Sequence, residues 1–258
     1  MPIRTSTVTI PTRNFPPISA PVESRPKSLS EPPRSAPSFM RLDLHNHTRH
    51  SPDSRVSPAD LVARARQVGL DGIAITDHNS VAGIREAEAA AGDLIVIPGI
   101  EISTRSGHVI AYGVREPILR DLSVRETVER ITALGGVAVA AHPYRFWSGL
   151  GEPALLEARF SAYETCNART LRRGNERARA RAAERSVGQT GGSDSHFLDE
   201  AGRAVTVLEA GRLRPDDVVQ WIGAGKTRAQ GTDRGADATV RYVSKAVGEW
   251  LLRGMRRI

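Results

Sequence analysis

Short apolar runs alternate with longer amphipathic stretches along most of this chain. Residues 41–45, 73–76, 94–97, 109–112, 137–141, 161–165, 187–190 and 204–209 are compact apolar segments of strand length. Helical patterns fill the intervals. Ser57 followed by Pro58 marks a capped helix start, and that helix should run to Val68, where Gly69 stops it. Ser80 is expected to cap a helix over 80–91, and Ser123 one that reaches Leu134 and ends at Gly135-Gly136. Residues 168–185 form a densely basic helical pattern, 215–223 a shorter one, and 239–256 a last amphipathic helix. Strands alternating with helices of this length predict βαβ units and a parallel sheet. Seven or so such units suit a closed α/β barrel better than an open sheet.

Residues 1–39 break this pattern. They hold nine of the sixteen prolines and seven serines, with little apolar periodicity, so they cannot bury enough surface to offset the entropy of ordering. The expected organisation is therefore a disordered tail over 1–39 and a barrel domain over 40–258 that includes the C-terminal helix. Met40 stands directly before the first strand and is an alternative translation start. A transit peptide would be basic and Ser-rich like this tail, but its many prolines oppose an amphipathic helix.

Charge changes the picture less than its total suggests. The net charge of +7 comes from residues 1–40 (+3) and 241–258 (+4), which leaves the middle of the chain neutral. Bulk attraction for nucleic acid needs basic charge clustered on the fold, so that function class is disfavoured. No apolar run approaches the roughly 18 residues of a membrane span, and no signal-peptide core is visible. A single cysteine, Cys166, excludes an internal disulfide and fits a reducing compartment. A cytoplasmic protein without a membrane segment is expected.

The candidate chemistry lies in the histidines. Six of the seven sit in short motifs beside an acid, Gly or Pro: His45 and His47 in DLHNH, His78 in ITDH, His108 in GHVIAYG, His142 in AHP and His196 in GSDSH. His45, His47, Asp77, His78, Glu101, His142, Asp194 and His196 follow strand-like runs. In an α/β barrel such positions project from the strands' C-terminal ends, so they should converge on one face. Six imidazoles with Asp53, Glu101 and Asp194 exceed what one tetrahedral ion uses. Two or three divalent ions are expected, and donors without a thiolate suit Mn, Zn or Fe. Closely spaced ions lower the pKa of a bridging water and clamp a phosphoryl group, which points to metal-assisted hydrolysis of a phosphate ester. His50 reads as a solvated loop residue, Asp77 as an orienting group, and Cys166 as a small core residue.

In this order the motifs resemble the PHP (polymerase and histidinol phosphatase) family over roughly residues 41–210. The stretch 164–169, ETCNAR, is similar to the family's E-x-x-N-x-R segment. The resemblance implies a distorted seven-stranded (β/α) TIM-like barrel, a trinuclear metal centre and phosphoesterase activity through a metal-bridging hydroxide. By it, His45, His47, Glu101 and Asp194 would hold one ion. Asp53, His78 and His196 would hold a second, and Glu101, His108 and His142 a third. Asp194, His196 and Glu101 are then the residues on which catalysis should depend.

Many members carry S-D-G after the HxH, whereas here Ser51-Pro52-Asp53 places the acid one residue later. Arg145, in HPYRF, is a candidate to pair with a substrate phosphate, and Asn167 and Arg169 either contact substrate or brace their loop. The arginines at 172, 173, 177, 179 and 181 read as a solvated face that could guide a polyanion if it borders the mouth.

Only 40 residues separate Glu101 from His142, which leaves no room for the domain that several members insert there, and the chain is too short for a polymerase. The expected partner is a small phosphorylated substrate or nucleotide, with a nucleic-acid end also consistent. An amidohydrolase-type hydrolase is the second reading, but it needs a mid-barrel bridging lysine, and after the tail only Lys226 and Lys245 occur. A non-catalytic metal-binding accessory module is the third, and such a module would have lost ligand positions that this chain retains.

Overall fold

The computed structural model describes residues 38–233 and the single position Val247. The expected tail up to residue 37 and, apart from Val247, the expected helix over 239–256 lie outside the described residues. The elements run β1 (Met40–Asp43), α1 (Pro58–Gln67), β2 (Gly72–Ile75), α2 (Gly83–Ala90), β3 (Ile95–Thr104), β4 (Gly107–Tyr112) and α3 (Val124–Ala133). There follow β5 (Val137–Ala140), α4 (Gly151–Leu155), β6 (Ala162–Asn167), α5 (Arg172–Glu184), β7 (Gly188–Gly192), β8 (Ala204–Leu208), α6 (Pro215–Gly223) and β9 (Arg228–Gly231).

Local signals set two helix starts as expected. Ser57 Oγ accepts from the Asp60 amide at 3.1 Å with Pro58 in the first turn, and Ser123 with Glu126 forms a reciprocal capping box. Ser80 does not cap α2. Its hydroxyl accepts from the Ala82 amide at 3.3 Å and shapes the turn ahead of the helix, whose N-cap position is Ala82. Helix α5 begins at Arg172 rather than 168, which leaves Arg169 in the preceding turn.

One nine-stranded sheet has the order β7-β6-β5-β4-β3-β2-β1-β8-β9. It is a distorted, nearly closed barrel of mixed direction. The β1–β2–β3 and β5–β6–β7 sets are parallel, as the alternating pattern predicts. Strand β4 is antiparallel to both its neighbours, and β8 and β9 extend the sheet antiparallel to β1 and to each other. The physical reason at β4 is the connection. Strand β3 continues through Pro98-Gly99 to Thr104, and the two residues left before Gly107 can only join antiparallel neighbours. Closure occurs where β7 meets β1, with Leu44 N donating to Gly191 O at 3.4 Å. Gly192 permits this approach, because a Cβ there would lie 2.3 Å from the His45 Cβ.

Leu42, Ile95, Ile97, Ile110, Tyr112, Val139 and Ala162 pack together in the barrel, and Val218, Val219 and Ile222 of α6 join that cluster. Helix α6 thus seals one end with apolar side chains. Side chains alternate along a strand, so Glu101 shares the inward face of Ile95 and Ile97, and His108 that of Ile110 and Tyr112. The inward face is apolar at the α6 end and polar at the other.

Candidate metal centre

The polar end gathers all nine expected donors. Strands β1, β2 and β5 deliver His45 and His47, His78, and His142 just beyond their C-terminal ends, and β7 delivers Asp194 and His196. Strand β3 supplies Glu101 from within. His108 lies at the start of β4, yet β4 runs backwards, so its start is on the same rim and Ser103 is its register partner.

Glu101 is the hub. Its Oε1 lies 2.9 Å from His108 Nδ1 and 2.9 Å from His142 Nε2. Its Oε2 lies 3.2 Å from each of His45 Nε2, His47 Nε2 and His78 Nδ1. Asp194 Oδ1 stands 3.4 Å from His47 Nε2 and 3.9 Å from His45 Nε2. Asp53 Oδ2 is 2.6 Å from His196 Nε2 and 3.7 Å from His78 Nε2, so the one-residue offset in its loop still brings the acid to the cluster.

Four sets of donor atoms each lie within 4.8 Å of one another: His47, Asp53, His78 and His196; His45, His142 and Asp194; His45, His47 and Glu101; His78, Glu101 and His108. The sets overlap through His45, His47, His78 and Glu101. His142 and Asp194 hold left-handed backbone angles, φ 27° and 53°, which are uncommon for residues with a side chain.

The chemistry of these donors fits metal ions. His45 Nδ1–H donates to Glu164 Oε1 at 2.9 Å, which leaves the Nε2 lone pair facing His47 Nε2 at 3.1 Å and Glu101 Oε2 at 3.2 Å. Lone pairs and a carboxylate at that range repel unless a cation stands among them. The buried atoms Asp53 Oδ1 and His142 Nδ1 have no hydrogen-bond partner. Titration behaviour agrees. Burial penalises the Glu101 carboxylate, yet the surrounding imidazoles outweigh it and hold its pKa well below the usual range. Burial also opposes the His47 cation, but Asp194, Glu101 and Asp53 push its pKa up to about 9. The centre therefore favours positive charge. Burial pushes His78 down to about 3, and burial with Arg145 nearby pushes His142 down to about 4. Both rings are neutral at physiological pH, the form that binds metal.

The residues around the donors hold them in place. Glu164 Oε2 accepts from the His142 amide at 2.8 Å and from Asn167 Nδ2 at 3.0 Å. A register shift in β6 between Glu164 and Cys166 inserts an extra residue and turns Asn167 to the same side as Glu164. Arg145 donates to Asp194 Oδ2, to Asn167 Oδ1 at 2.5 Å and to Thr170 Oγ1 at 3.2 Å. Arg169 donates to His196 Nδ1 and to Asp194 O at 3.3 Å. Glu164 was visible in the sequence only as part of ETCNAR; its role as the orienter of His45 spans 119 residues and has no local signal.

Asp77 stays off the donors, accepting from Thr48 N at 2.5 Å and Thr48 Oγ1 at 2.7 Å. His50 lies outside the cluster, 3.5 Å from Glu86 on the surface. Cys166 is buried, and burial pushes its thiol up to about 11.

Comparison with known proteins places these features. Residues 43–177 match the PHP domain and residues 172–227 the PHP-associated region. An uncharacterized protein of Methanocaldococcus jannaschii, MJ1587, is 38% identical over 118 residues, covering 41% of this chain and 68% of the relative. A 5′-3′ exoribonuclease of Haemophilus influenzae is 46% identical over 66 residues, covering 25% of this chain and 24% of that enzyme. The fold is shared with a two-domain protein from Bacteroides vulgatus that contains a predicted PHP-like metal-dependent phosphoesterase. The TM-score is 0.63 at 20% identity, over 76% of this chain and 65% of that one. The nine converging donors and the match over more than half of the chain make this protein a member of the PHP family of metal-dependent phosphoesterases, hydrolases of phosphoester bonds.

Proposed function

We propose that the chain hydrolyses a terminal phosphate ester, on a small phosphorylated molecule, a nucleotide or a nucleic-acid end, with three divalent ions. The observation that carries this reading is Glu101, with five imidazole nitrogens within 3.2 Å of its two oxygens and two arginines at the edge of the same cluster. His45, His47, Glu101 and Asp194 would hold one ion, Asp53, His78 and His196 a second, and Glu101, His108 and His142 a third. Bound ions would supply an activated water and charge neutralisation at the phosphoryl oxygens.

The chain's own residues do the rest. Glu164 keeps the proton of His45 on Nδ1 and so keeps Nε2 aimed inward. Asn167 and Thr170 hold the Arg145 guanidinium beside Asp194, and Arg169 is held beside His196. Both guanidiniums border the cluster at Asp194 and would bind the non-bridging oxygens of a phosphate held there as charge develops. Among the described residues no helix is long and apolar enough to cross a membrane. The lone buried Cys166 supports a cytoplasmic setting.

The reading is tested by loading purified protein with Mn or Zn and measuring phosphate release from nucleotides, sugar phosphates and 5′-phosphorylated oligonucleotides. Turnover on at least one class is expected, and a panel with none would overturn it. Asp194→Ala should remove that turnover and lower metal content while the circular dichroism of the fold persists. Unchanged turnover would remove Asp194 from the site.

A further inference from the structure

Phe146 and Trp147 are the most exposed large hydrophobic side chains described, at 85% and 79% of their full surface. Their rings meet edge to face with centroids 4.7 Å apart. They contribute nothing to the core, and their position is not arbitrary. Phe146 directly follows Arg145, whose guanidinium binds Asp194, and the Cα of Trp147 lies at most about 7 Å from that of Arg145.

The loop that carries them is pinned at both ends to the centre. Arg145 N donates to His142 O at 2.9 Å, and His108 N donates to Ser148 O at 3.2 Å. It also closes tightly on itself, since a Cβ at Gly149 would lie 2.5 Å from Arg145 O. A short anchored loop thus holds two bare rings at the rim between two candidate ligands. Of ten exposed large hydrophobics among the described residues, five lie within two positions in the chain of Arg145, Arg169 or His196. Isolated exposed apolar residues need no explanation, but a cluster around a charged mouth marks a recognition surface.

Basic charge adjoins the loop that carries the rings. Helix α5 carries five arginines and two glutamates, and its first turns pack on the same loop. The Arg177 Cζ lies 4.3 Å from the Tyr144 ring centroid, and a Cβ at Gly174 would lie 3.2 Å from Tyr144 O. Arginines 172, 173, 177 and 179 are exposed. Rings that accept a π-face beside a row of cations are the two components of a single-strand binding tract.

We propose that Phe146 and Trp147 stack a base next to the scissile phosphate, with Arg173 and Arg177 receiving the following phosphates. The substrate of this site is then the end of a single-stranded nucleic acid, an inference that rests on the phosphoesterase reading and narrows it.

The test compares a 5′-phosphorylated single-stranded RNA dodecamer with a strand of the same length lacking its terminal bases. Binding to the full chain is followed by fluorescence anisotropy without added metal. Stacking predicts that the base-bearing strand binds about 5- to 100-fold tighter, and that Phe146→Ala with Trp147→Ala abolishes this preference. Trp147→Phe should retain it. A purely structural role would weaken both strands equally and keep their ratio. Arg173→Ala with Arg177→Ala should lower the slope of log affinity against log salt by roughly 0.7 for each phosphate that is no longer neutralised.

Equal binding of the two strands by the wild type, or an unchanged preference in the double alanine variant, would overturn the platform. So would a halved molar mass in that variant, which would make the pair a subunit contact. Phosphate release from the metal-loaded enzyme is scored separately. Preference without hydrolysis would count against the phosphoesterase reading alone, and hydrolysis without preference against the platform alone.

Discussion

Two of the carboxylates buried in this barrel, Asp43 and Glu101, behave in opposite ways. Asp43 at the end of β1 accepts three backbone amides: His45 N at 3.3 Å, Ser193 N at 2.8 Å and Gly202 N at 2.8 Å. Burial outweighs those hydrogen bonds and pushes its pKa up to about 6. Glu101, equally buried, faces five imidazoles and is held well below the usual range. One acid ties β1 to the segments around β7 and β8, and the other collects donor atoms. A buried acid is therefore not in itself a site. Peptide groups consume the lone pairs of Asp43, whereas those of Glu101 face groups that also need a cation.

Glu101→Gln should have the largest effect, because it preserves shape and removes the charge that all five imidazoles share. Metal content by mass spectrometry should fall, and phosphate release should drop by at least about 100-fold. Full metal occupancy in that variant would erase the distinction between the two acids. Glu164→Gln ranks second. It weakens the bond that orients His45 and should cost about 10- to 100-fold in metal affinity, measured by competition with a chelator.

Asp43→Asn is the reverse case. Its amide would face one of three N–H donors, at a cost of about 1–3 kcal/mol in urea unfolding, with metal content retained. Metal loss at unchanged stability would move Asp43 into the centre. Ser123→Ala sets the baseline for simple destabilisation. Losing its capping box should cost about 1 kcal/mol and leave metal content and turnover where they were.

Much of this was legible in the chain. Pro58 behind Ser57, and Ser123 three residues before Glu126, are local signals, and they placed α1 and α3. The apolar runs placed the parallel strands, and the HxH, TDH, AHP and GSDSH motifs named the donors. The direction of β4 was not legible. Pro98-Gly99 looks like the end of a strand, and only pairing to β4 on one side and β2 on the other carries β3 through it. The run at 204–209 marked β8, but its antiparallel direction and the whole of β9 were hidden for a similar reason, since antiparallel pairing at an edge has no signature within one strand. The role of Asp43 was equally hidden, because it opens the same DLHNH motif as the donors and only the Ser193 and Gly202 amides set it apart.

The sequence by itself determined the alternation of strands and helices and the chemical identity of the nine donors. Both follow from periodicity and residue type, which act over a few positions. Only the tertiary structure decided that His108 reaches the rim from a reversed strand. It likewise decided that Glu164 orients His45 from 119 residues away and that Arg145 meets Asp194 across 49. Those outcomes depend on which strands become neighbours, and that is settled by barrel closure and packing rather than by any local segment of the chain.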